Sequence, residues 1–66
     1  MRKYKMGNQI KNMRMYENYT GQFFMVKFGN GYPKTMHRSF IESWQYRVLE
    51  RFVKSGRVFK AERREK

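Results

Sequence analysis

The side chains best suited to chemistry here are cationic: sixteen Lys and Arg stand against five Glu and no Asp, for a net charge of +11. Ammonium and guanidinium groups in such excess bind phosphates, and a folded body of like charge repels itself unless an anionic partner relieves it. The excess is not confined to the ends, because residues 7–59 hold nine cations against Glu17, Glu42 and Glu50. On a helix, Arg47, Arg51 and Lys54 would fall on one strip about 60° wide, able to straddle successive phosphates. Arg14, Lys27, Lys34 and Arg38 complete the set of candidate phosphate contacts. Aromatic rings supply the other half of a nucleic-acid footprint, since an exposed ring stacks on a base. Tyr16 and Phe23 are the stacking candidates.

Other chemistries find less support. Hard cations need clustered carboxylates, and the five Glu are scattered. There is no phosphate-cradling glycine loop, no nucleophile elbow and no zinc spacing, and the absence of cysteine removes disulfides and thiolate ligands. No metal and no cofactor are expected, and no residue is assigned a catalytic role. His37 is the sole histidine. Metal-free RNA cleavage can run on a His or Tyr base with Arg and Lys stabilising the charged transition state. His37 with Lys34, Arg38 and Tyr16 is the set that would serve it.

The elements that position these residues are marked by turn signals at Asn18-Tyr19-Thr20-Gly21, Gly29-Asn30-Gly31 and Ser55-Gly56. Ile10–Tyr16 alternates loosely and reads as a strand, Gln22–Phe28 is rich in aromatic and β-branched residues, and Tyr32–Arg38 alternates again. A two-residue Asn30-Gly31 turn would set Lys27 opposite Lys34, a like-charge pair. A three-residue Gly29-Asn30-Gly31 loop, preferred for that reason, sets Phe28 beside Tyr32 and Phe24 beside Met36. Ser39-Phe40-Ile41-Glu42 has the form of a capping box, and Gly56 stands where a left-handed residue ends a helix. Between them Ile41, Trp44, Val48, Leu49 and Phe52 make one apolar stripe.

The expected fold is α+β, a single domain over residues 1–66. It has a three-stranded antiparallel sheet, four-stranded if Arg57–Ala61 adds a short strand, and one amphipathic helix packed on one face. Residues 1–6 and 62–66 read as flexible tails. If the helix takes Phe24, Val26 and Phe28, then Phe23, Met25 and His37 remain as a partly open surface with Lys27 at its edge and Arg14 or Tyr16 beside it. Packing of that surface under the terminal segments, or in a homodimer, is the competing use. The order of strands followed by a cation-bearing helix resembles part of a double-stranded-RNA-binding domain and three-stranded-sheet DNA readers. That resemblance is topological, spans about Gln22–Phe52, and stops where the former's Lys pair would open the helix, since Phe40-Ile41 stands there.

The opening Met-Arg-Lys-Tyr-Lys has the charge of a secretory leader, but no apolar stretch of roughly 7–15 residues follows it. A cytoplasmic, intracellular chain without a membrane span is expected. The favoured function is nucleic-acid binding, RNA ahead of DNA, through phosphates with stacking support. The alternatives are a small accessory or inhibitor protein, of the kind mobile genetic elements carry, that covers an acidic protein surface, and a metal-free ribonuclease.

Overall fold

The Asn12 side chain begins a helix where alternation predicts a strand: its Oδ1 accepts the Met15 backbone N–H at 2.8 Å, and Met13–Asn18 follows as α1. Met13, Met15, Tyr16 and Tyr19 all reach the core from this short segment. An Asn N-cap outweighs a weak period-2 pattern. The computed structural model describes residues 4–64, and seven elements run along it. They are β1 (Tyr4–Gln9), α1, β2 (Phe23–Val26), β3 (Lys34–His37), α2 (Arg38–Glu42), α3 (Tyr46–Lys54) and β4 (Val58–Arg63). The fold is α+β with a four-stranded antiparallel sheet in the order β1-β4-β2-β3.

The short strand expected over Arg57–Ala61 is β4, and residues 4–6 and 62–63, expected to be loose tails, also belong to strands. β1 pairs with β4 through Tyr4↔Arg63, Lys5↔Glu62 and Met6↔Ala61, and the register then shifts before Gln9↔Phe59. Lys5 faces Glu62 across the ladder, so the charges that make these ends look solvated are neighbours of opposite sign. Charge on an edge strand also discourages pairing with another chain. Gly7 lies at the irregularity, where a Cβ would come within 2.7 Å of the Lys60 carbonyl oxygen. Residues 1–3 and 65–66, also assigned to the tails, lie outside the described residues.

The β2–β3 hairpin takes the register of the three-residue loop, with Phe24↔Met36 and Val26↔Lys34. Lys27 is thereby kept from facing Lys34. The single expected helix is instead two. His37 caps α2, its Nδ1 accepting the Ser39 N–H at 3.2 Å, while Glu42 pairs with Arg38 at 3.1 Å and not with the Ser39 backbone. The capping signal was therefore read two residues late. Ser43 Oγ donates to the Phe40 carbonyl at 2.5 Å and the chain turns before α3. This hydroxyl competes for the backbone as Ser does at helix ends. The turn brings Trp44 against Phe28, Phe40 and Phe52, with ring centroids 5.3–6.3 Å apart. Gly56 ends α3 as expected: at φ 75° it donates to the Val53 carbonyl, and Arg57 donates to that of Phe52. Both bonds of the left-handed helix stop are present.

Ile10, Phe24, Val26, Ile41, Val53 and Val58 are sealed completely. Tyr16 of α1, Ile41 of α2, and Leu49 and Val53 of α3 share one cluster with Phe24 and Val26, so all three helices lie on the same side of the sheet. Arg38 locks α1 to this assembly. Its guanidinium donates to the carbonyls of Tyr16, Glu17 and Tyr19 and lies over the Tyr16 ring at 4.9 Å. A cation holding the last carbonyls of a helix also complements its dipole.

Candidate functional site

Cross-strand neighbours share a face, so the strand partners assign each side chain. Phe24, Val26, Met36 and Val58 face the helices; Tyr4, Met6, Phe23, Met25, Thr35, His37, Phe59 and Arg63 belong to the other face. No helix among the described residues packs its buried side chains there. Phe28 goes to the helix side, against Trp44 and Phe52, which leaves Phe23, Met25 and His37 on the open face as expected.

Three rings cross that face in a row. Tyr4 on β1 meets Phe23 on β2 at 4.7 Å with planes tilted 32°, and Phe23 meets His37 on β3 edge-on at 5.1 Å. β4 runs between the first two, and there the small Ala61 is buried beneath them at 6% exposure. Tyr4 and Phe23 are half-buried, His37 is exposed, and Met6 keeps 48% of its surface in water. Met25 is nonetheless buried, and its sulfur accepts the Thr35 hydroxyl hydrogen at 2.9 Å. The rings are therefore fixed by a closed lower layer and still present their upper surface.

At one end of the row β4 outruns β2, and an open groove of about 820 Å³ forms. Tyr4, Tyr19 and Phe23 line it together with the cations Lys5, Arg63 and Arg64 and one carboxylate, Glu62, the strand partner of Lys5. Tyr19 is anchored by its hydroxyl, which donates to the Ala61 carbonyl at 3.0 Å. Its ring lies so close over Gly21 that any Cβ there would collide with it, at 2.1 Å. Burial pushes the Tyr19 phenol above its usual range, and Glu62 adds to that. Tyr19 is thus a neutral wall of the groove at neutral pH.

The residues expected to form one site are distributed over several. Arg47, Arg51 and Lys54 lie exposed on the side of α3 away from Leu49 and Val53, hence away from the sheet. Arg14 is exposed on α1. Lys34 faces the helix side on the edge strand β3, and Lys27 is exposed just beyond β2, its N–H donating to the Arg57 carbonyl at 2.8 Å. Tyr16 is buried at 4% exposure and Arg38 is committed to the carbonyls of α1, so neither serves a ligand. The set drawn around His37 for cleavage loses both of them. His37 Nδ1 accepts the Ser39 N–H and stands 2.7 Å from Ser39 Oγ, which places the proton of a neutral ring on Nε2. Among the described residues no group of three or more His, Asp or Glu could hold a metal. No helix among the described residues is long and apolar enough to cross a membrane.

Tyr4, Arg63 and Arg64 were missed because β1 and the end of β4 were read as tails. A signal was present: Tyr4 and Met6 alternate with Lys5, as Phe59, Ala61 and Arg63 do with Lys60 and Glu62. In comparisons with known protein families, curated proteins and solved structures, nothing matches this chain.

Proposed function

We propose that this chain binds single-stranded nucleic acid on the open sheet face, RNA ahead of DNA. Bases stack on Tyr4 and Phe23, with His37 as the last ring of the row, and phosphates run to Lys5, Arg63 and Arg64. The observation that supports this most is the ring row itself, held at 4.7 and 5.1 Å, left without a helix over it and bordered by cations. Base stacking on an aromatic side chain contributes about 1–3 kcal/mol per base, whatever the base. Unpaired RNA splays its bases out to such platforms, whereas a duplex keeps its bases stacked internally. An intracellular setting follows from such a ligand. An acidic protein surface is the rival occupant, and the same experiment separates the two.

Fluorescence anisotropy with a labelled ten-nucleotide RNA, its DNA equivalent and a duplex, at two salt concentrations, tests the proposal. Phe23→Ala is expected to weaken single-strand binding about 10- to 100-fold, in line with one lost stacking partner. Neutralising Lys5, Arg63 and Arg64 should lower the slope of log affinity against log salt by about 0.7 per charge. Single-strand affinity indifferent to both Phe23→Ala and Tyr4→Ala would refute the site. Equal affinity for RNA and DNA would remove the preference alone.

A further inference from the structure

The cationic strip of α3 and the ring row stand on opposite sides of the molecule. Leu49 and Val53 point α3 into the sheet, so Arg47, Arg51 and Lys54 point out from the helix layer, with helix and sheet between them and Phe23. A short strand seated on the rings cannot also touch these cations.

Their own helix does not account for all of them. Arg51 and Lys54 lie in the last turn, where cations complement the dipole. Arg47 lies in the first turn, where a cation opposes it, and no acidic residue stands in that turn. Glu50 is the only carboxylate beside the strip, and it engages Lys54 alone, at 3.6 Å. A shallow groove of about 560 Å³ is lined by Arg47, Glu50, Arg51, Lys54 and Ser55. No aromatic ring lines it, so it offers charge without a stacking platform.

We infer that this strip is a second polyanion site, for the phosphate backbone of a nucleic-acid duplex, and that the chain can bridge two segments. One segment would be held by its bases on the sheet face and the other by its phosphates on α3. From Arg47 to Lys54 the helix rises about 10 Å. Over that length a DNA duplex presents about six phosphate charges, one per 1.7 Å, more than enough to occupy three cations. The bridging half of this inference rests on the function proposed above; the α3 site does not.

The test uses an immobilised blunt-ended duplex, over which the full chain is passed, followed by a labelled single-stranded RNA. Retention of the protein on the duplex is expected to fall at least tenfold in the triple variant Arg47→Ser, Arg51→Ser, Lys54→Ser. Its log–log salt slope should fall by about 0.9 per cation removed. Phe23→Ala should hold the duplex as the wild type does and fail to capture the RNA. Labelled RNA accumulating on the duplex-bound wild type, without releasing it, supports the bridge. Release of the duplex by RNA, or RNA that never accumulates, overturns the bridge. Duplex retention unchanged in the triple variant overturns the α3 site. Failure of the ring site is read separately, from single-strand anisotropy of Phe23→Ala, and leaves the duplex measurement intact.

Discussion

Phe23 and Phe24 are neighbours on one strand and lead opposite lives. Phe24 is completely sealed, touching Tyr16 and Tyr19 at centroid distances of 4.8 and 5.0 Å under the helices. Phe23 lies half-buried in a ring row that no described helix covers. Both faces of the sheet are aromatic, yet only one is closed. A small domain gains little from ordering rings that it does not bury, since burial of apolar surface is what stabilises it. The helix-side face is explained by folding; the open face is the one the proposed ligand would use.

Substitutions on the two faces put this contrast to the test, beginning where the largest change is expected. Phe24→Ala should cost about 3–5 kcal/mol, the usual range for emptying a ring-sized space in a core. A domain of this size has a total stability on the order of 3–10 kcal/mol, so urea unfolding should find the variant largely unfolded or close to it. Phe23→Ala, which loses a half-buried ring and two ring contacts, should cost about 1–2 kcal/mol by the same measurement, while weakening single-strand binding about 10- to 100-fold. Equal destabilisation by the two would erase the distinction between the faces.

Arg38 sharpens the comparison from the cationic side. Arg38→Met would take the guanidinium donor from the Tyr16, Glu17 and Tyr19 carbonyls, of which Tyr16 keeps the Tyr19 N–H, and should lower stability by about 2–3 kcal/mol, the scale of hydrogen bonds made by a charged group. Arg47→Met on the outer face of α3 should stay within about 0.5 kcal/mol, as for most surface substitutions. Thermal melts of the two variants separate a cation that builds the fold from one available to a partner.

Tyr16→Phe should show its effect mainly at alkaline pH. The Tyr16 hydroxyl is buried with no hydrogen-bond partner, so its loss should change stability by less than about 1 kcal/mol at neutral pH. Its phenol is held above the ordinary value of 10.0 by burial, opposed by Arg38 and reinforced by Glu42. The fold thus prefers the protonated form. That stability is fully present below about pH 10 and is lost as pH rises toward the folded-state value. Denaturant titrations at roughly pH 8 and 11 should show a smaller alkaline loss for Tyr16→Phe than for the wild type. Tyr19, shifted the same way, keeps part of the loss in both.

What could be read from the chain beforehand was what is local to it. The Gly56 stop needs three residues, the β2–β3 register follows from avoiding Lys27 opposite Lys34, and Phe23 parts from Phe24 by strand alternation. The break at Ser43 was hidden because the apolar stripe from Ile41 to Phe52 runs through it unbroken. β1 was hidden because its partner lies more than fifty residues away, at Tyr4↔Arg63. The site inherited both kinds of visibility. Phe23 was found from its own strand, whereas Tyr4 and Arg63 belong to a pairing that no local pattern announces. Charge alone also could not divide Arg38, sequestered by α1, from Arg47, which faces water.

The place of β4 in the sheet carries a consequence for biosynthesis. Among the described residues its neighbours are β1 and β2, and it joins them although it is made after the other three strands. Until residues 58–63 have left the ribosome, β1 has nothing to pair with and Tyr4 cannot take its place in the ring row. Translation must therefore release nearly the whole described chain before the ring row can assemble. Such distant pairing also places the fold among slower-folding topologies for its length.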